Sequence, residues 1–230
     1  MFLVGFSTGS AAFLLEELEE ILRGFTKAFL DPQFIQTQGV TWAFIAFAAL
    51  ASSYGLIAGL MTTYFGPAAS GSGVAELIGY LNGVNYPDFL GIKTLLTKIV
   101  GVAFAVNAKL VVGKEGPLAH IGSNLGAMVL YIPGLGFEFL RNDDKKRQYI
   151  AAGAAVGVSA AFGAPVGGTL FLYEFSKPNT FWTIDMVSKV FFACCVGTLT
   201  LYGWISTFNE KEHLAISSLK FGTGAAANEN

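Results

Sequence analysis

The segment PQFIQTQGVTWAFIAFAALASSYGLIAGLMTTYFGPAASGSGVA, Pro32 to Ala75, lies between Asp31 and Glu76 and runs 44 residues without an Asp, Glu, Lys or Arg. A bilayer core takes about 20 apolar residues per helical span. The segment therefore holds one long span plus a re-entrant piece. Two further charge-free gaps follow, 26 residues between Arg147 and Glu174 and 20 residues between Lys189 and Glu210. The last holds one span. The middle gap is broken by Gly163-Ala164-Pro165. Proline cannot continue a helix and suits the first turn of a new one, so this gap predicts two short helices meeting inside the membrane.

Composition agrees. Of 230 residues, 53% are apolar and 13% charged, where a soluble domain carries about 25% charged. The 21 Phe exclude disorder, and a net charge of -2 offers nucleic acid no basic face. Cys194 and Cys195 are adjacent in an apolar run without metal spacing, and read as buried helix filler. No metal site and no cofactor are expected. The only histidines are His120 and His213, and no nucleophile–base pair accompanies them, which argues against an enzyme. Met1 to Phe6 lacks a basic leader, so the chain is expected to start within a span rather than with a cleavable signal.

Apolar patterning and breakers predict helices at about residues 1–30, 40–65, 76–83, 89–112, 116–131, 149–162, 165–175 and 183–206, with no strands. The fold class expected is all-α integral membrane, with broken and tilted helices over 1–209 and a loose polar tail over 210–230. Glu16, Glu17, Glu19 and Glu20, beside Arg23 and Lys27, read as a solvated helix end at the membrane surface. Arg141 to Arg147 reads as a polar connection whose basic residues face the cytoplasm.

Three glycine-rich breaks join these helices: Gly66 to Glu76, Gly113 to His120, and Gly153 to Pro165. Irregular backbone at membrane depth survives only where protein or water surrounds it. Broken helices there can aim N-terminal N–H groups at a bound anion, which glycines allow to approach closely. Half a charge at 4 Å, at an effective dielectric near 20, contributes about 2 kcal/mol. Removing an anion from water costs several kcal/mol, so several helix ends must converge. The first two breaks carry polar or ionisable groups and read as functional. The third has small residues every three or four positions and reads as a packing face.

At these residues the chain resembles the CLC chloride channels and chloride/proton exchangers. Gly71-Ser72-Gly73-Val74-Ala75-Glu76 is similar to the family's GSGIPE, Gly113 to Pro117 matches GKEGP, and Gly153 to Glu174 follows its long alanine- and glycine-rich motif. Leu81-Asn82-Gly83 and Phe139 to Asp143 are similar to the intracellular, lysosomal-type branch. The resemblance implies a central anion held by the Ser72 hydroxyl and by N–H groups around Gly71 and Gly73. It implies further anion contacts at Gly113, Lys114 and Gly116, with Glu115 as the gate. Lys114 would supply a cation near the entrance; its alternative reading is an interfacial, snorkelling lysine. Chloride would be the bound substrate.

Three departures qualify these implications. Ala75 replaces the motif's proline. Phe175 stands where exchangers carry a proton-delivering glutamate, which implies channel-like or uncoupled conduction. The resemblance also covers only the first of the family's two inverted repeats. A second half from another chain, or a homodimer with the helices at about 165–175 and 183–206 facing the partner, would then be needed beside membrane lipid. The alternative is a non-conducting structural subunit derived from the family within a larger membrane complex. The expected location is an intracellular organelle membrane of endosomal or lysosomal type.

Overall fold

A computed structural model describes residues 1–29, 40–132, 142–176 and 183–208. Among them the regular elements are all helical: α1 (Phe2–Phe29), α2 (Val40–Tyr64), a 3-10 turn (Pro67–Ala69), α3 (Val74–Leu81), α4 (Ile92–Asn107), α5 (Glu115–Val129), α6 (Asp143–Phe162), α7 (Pro165–Ser176) and α8 (Ile184–Phe208). The polar tail, Arg141 and His213 lie outside the described residues.

The centre is α6. Every residue from Ile150 to Ala160 is buried, so over that stretch the helix has no solvated face. It packs on α5, α7, α8 and α1. Small side chains make this possible: a Cβ at Gly153 would collide with the Gly122 carbonyl of α5, and one at Gly157 with the Leu118 carbonyl. Backbones in that proximity maximise dispersion contact, the force left for packing helices that lie in lipid. The third break thus acts as the packing face its spacing predicts. It ends at Gly163, whose left-handed φ of 63° closes α6, and Pro165 opens α7.

Around this centre, α1 presents a buried stripe of Val4, Thr8, Ala11, Ala12 and Leu15 and packs along α8. Phe13 stacks on Trp204 at 6.1 Å where the two helices meet. By contrast, α2 buries only Ala43, Tyr54 and Ala58 and touches chiefly α4 and the 3-10 turn. Both α2 and α8 have 25 residues and are apolar enough to cross a membrane, about 37 Å at 1.5 Å per residue.

Several boundaries differ from the sequence expectation. α6 begins at Asp143 rather than near 149, because Asn142 is extended at its N-cap and Asp143 and Asp144 occupy the first turn, where carboxylates oppose the helix dipole. α4 stops at Asn107 rather than near 112; the Asn107 amide turns back to the Ala103 carbonyl and Lys109 adopts a φ of 58°. Only half of the cysteine reading holds: Cys194 is buried, whereas Cys195 is partly exposed beside an apolar groove.

Overpacking a tight contact costs about 1–3 kcal/mol, or roughly 3–10 °C for a domain of this size. Gly153→Val should lower the melting temperature of the purified protein in detergent by that amount. Gly24→Ala, where a Cβ meets nothing within 4 Å, should leave it unchanged or raise it slightly. Equal effects would refute the tight α5–α6 contact.

Candidate anion site at two helix breaks

The first break is built by glycine geometry. After the 3-10 turn, Gly71 and Gly73 take positive φ angles of 65° and 82°. Gly73 is also pressed against the His120 imidazole, and a Cβ there would fall 2.5 Å from Nδ1. No other residue meets both conditions at low cost. The chain then enters α3, with the Val74 N–H donating to Ser72 Oγ at 3.3 Å. Among the described residues, the N–H groups of Gly71, Ser72 and Gly73 have no acceptor. Ser72 and Gly71 are exposed.

A residue that sequence reasoning missed holds this loop in place. Lys98 of α4 is 2% exposed, and its ammonium donates to the carbonyls of Ala69 at 2.9 Å and Gly71 at 2.8 Å. Ser70 O lies at 3.5 Å. In a planar trans peptide the N–H points opposite to the C=O. Drawing the Gly71 carbonyl toward Lys98 therefore turns the Ser72 N–H away from it. The ammonium also places a full positive charge beneath the loop. The available signal was a cation in the interior of a largely apolar helix whose other charge, Lys93, sits in the first turn; such an interior charge marks a functional position by default.

The second break arrives from α4 and opens α5. Glu115 is the first residue of α5, and its carboxylate folds back on Gly113, where any Cβ would collide with it. A carboxylate at a helix N-terminus sits where a bound anion would be stabilised. Gly116 brings the two breaks together: a Cβ on it would fall 2.7 Å from Ser72 Cβ. Gly71, Ser72, Gly73, Gly113, Glu115 and Gly116 thus form one locus.

Lys114 is placed differently from its expected role. Its ammonium lies 3.1 Å from Glu16 Oε1 and 3.9 Å from Glu19 Oε2, both on α1. The reading of that acidic cluster as a solvated helix end is corrected at the same point. Glu19 is 4% exposed and Glu16 is paired, because α1 packs on α4 and carries these carboxylates beneath the second break.

A cavity of about 500 Å³ meets the locus, bordered by Ser70, Gly71, Ser72, Lys98, Gly113 and Pro117 and extending along the seam of α2 and α4. One water takes about 30 Å³, so a halide with part of its hydration shell fits. His120 stays out of the cavity. Its ring stacks on Phe89 at 4.3 Å and Nε2 donates to the Phe89 carbonyl at 2.9 Å, which makes it a packing residue. Phe175 lies on α7, edge-to-face with Phe171 at 4.4 Å, and its neighbour Glu174 is exposed. Among the described residues no His, Cys, Asp and Glu cluster could hold a metal ion.

The family described as voltage gated chloride channel matches residues 54–226. The chain is 34% identical over 228 residues to chloride channel protein A of Dictyostelium discoideum, covering 96% of this chain and 26% of that protein. It is 35% identical over 218 residues to the human H(+)/Cl(-) exchange transporter 7, covering 90% of this chain and 27% of that protein. The chain thus spans about a quarter of the length of these relatives. In fold it is similar to a slow cyanobacterial Cl-/H+ antiporter, with a TM-score of 0.75, 23% identity, and coverage of 87% of this chain and 44% of the other. A eukaryotic CLC transporter gives a TM-score of 0.77 at 22% identity, covering 87% of this chain and 36% of the other. With the two breaks, their order and the helical frame in agreement, the chain belongs to the voltage gated chloride channel family, the CLC proteins.

Proposed function

We propose that this chain forms the anion-handling half of a chloride pathway across an intracellular membrane, conducting without stoichiometric proton exchange. The observation that carries the reading is the open cavity where Ser72, Gly71 and Gly113 meet above the Lys98 ammonium. N–H groups that have no acceptor among the described residues, the buried Lys98 and two helix N-termini converge there, which is the compensation a partly dehydrated anion needs. Glu115 serves as a tethered anion mimic that leaves the path when protonated or displaced. Phe175 supports uncoupling, since a phenyl ring carries no proton.

The exposure of Ser72 and Gly71 supports a second half supplied by another chain or another part of the protein, because polar backbone cannot face lipid. Exposed Val166, Leu170, Phe192 and Leu199 on α7 and α8 supply an apolar face for a homodimer. An open anion-sized cavity favours conduction over a purely structural subunit, for which filled breaks would be expected.

Chloride flux through vesicles containing the purified assembly tests the reading. Glu115→Ala should change the flux several-fold, and an unchanged rate removes Glu115 from the path. With a chloride gradient imposed, the wild type should show no sustained proton movement, and steady proton flux refutes uncoupling. A unit charge about 6 Å from an anion contributes about 2–3 kcal/mol at an effective dielectric near 20, so Lys98→Met should raise the half-saturating chloride concentration roughly 30- to 100-fold. No shift would exclude Lys98 from the anion's field.

A further inference from the structure

Lys114 precedes the gate carboxylate, yet Gly113 and Pro117 border the cavity while Lys114 does not. Its ammonium turns instead to α1, toward Glu16 and Glu19. The acid pair is held firmly. The Asn107 amide of α4 donates to the Glu19 carbonyl at 3.2 Å, tying α1 to α4 just before the second break. Glu19 Oε1 is buried and has no hydrogen-bond partner among the described residues. A buried carboxylate with an unsatisfied acceptor oxygen attracts the nearest cation more strongly than an exposed one. Arg23 also acts on Glu19 but is exposed, so solvent screens it. At close range, then, the Glu16 and Glu19 carboxyl groups both face the Lys114 ammonium.

We infer that Glu16 and Glu19 are positioning residues for the anion route: they hold the Lys114 charge off the cavity and set how readily an anion enters. The inference rests on the chloride-pathway reading above. The acid pair acts through Lys114 and through the field at the rim, without touching the anion. Its effect therefore has a sign. Neutralising either carboxylate should favour anion entry, and neutralising Lys114 should oppose it. A unit charge about 10 Å from an anion, at an effective dielectric near 20, changes occupancy roughly tenfold.

The test is the half-saturating chloride concentration for flux through vesicles of the complete assembly. Glu19→Gln and Glu16→Gln should each lower it about three- to tenfold, and Lys114→Gln should raise it by a similar factor. The double variant Glu19→Gln with Lys114→Gln should fall between the two. A role limited to holding the fold predicts that all of these variants weaken transport together. That shared direction, or no shift in any of them, overturns the inference. Glu16 is about one-third exposed, so Glu16→Gln keeps the test decisive where Glu19→Gln fails to fold. If the wild type passes no chloride, the pathway reading itself fails. The clasp is then judged by chloride-dependent shifts in melting temperature, expected in the order Glu19→Gln, wild type, Lys114→Gln, and identical shifts overturn it.

Discussion

The Lys98 ammonium holds the carbonyls of Ala69 and Gly71 from a helix that follows them in the chain, and the shape of the first break depends on that hold. A loop with two glycines at positive φ has many alternative conformations in isolation. Three ammonium protons against a run of carbonyls select one of them, and that selection turns the Ser72 N–H outward. A buried lysine is costly unless its protons are satisfied. Here the backbone satisfies them, so the charge stays beneath the loop, and among the described residues no carboxylate is bonded to it. Its positive field remains available to whatever occupies the cavity.

The second break depends on the first through packing rather than charge. Gly116 lies on Ser72, and Gly73 lies on His120 of α5, so each break supplies the surface that the other needs. α5 is in turn fixed by its backbone contacts with α6, where Gly122 meets Gly153. Small residues in the buried centre therefore set the position of Glu115 about two turns away along α5. Loosening the α5–α6 contact would move the Glu115 carboxylate relative to Ser72 without altering any residue of the two breaks.

Much of this organisation was legible in the sequence. Charge-free gaps and Gly-Pro breakers are local signals, so eight helices and three breaks are legible from the residues alone. The small-residue spacing of Gly153 and Gly157 identified a packing face, and Gly122 and Leu118 proved to be its partners. Lys98 was not legible as an anchor, because its partners are carbonyl oxygens 27 to 29 residues earlier, and every residue carries a carbonyl. The Lys114–Glu16 pair was hidden by a separation of 98 residues. Taken locally, four glutamates on one helix look solvated. Packing α1 against α4 buries Glu19 and reverses that reading. The early start of α6 was present in Asn142-Asp143-Asp144, a capping signal masked by the basic residues that follow it.

In the proposed chloride pathway, the charges indicate what a second half would have to add. About 2 kcal/mol from each helix terminus, with a buried cation, offsets much of the several kcal/mol that dehydrating an anion costs. The acid pair on α1 works against this sum. Ser72 and Gly71 also remain open on one side, where water can enter and raise the local dielectric, weakening each favourable contribution. A second half closing over that face would contribute more by excluding water than by adding any single donor. Every dipole and charge already in place would then act at a lower effective dielectric. What a second half would add to the proposed pathway is therefore chiefly an enclosure, around groups that Lys98 and the two breaks already orient.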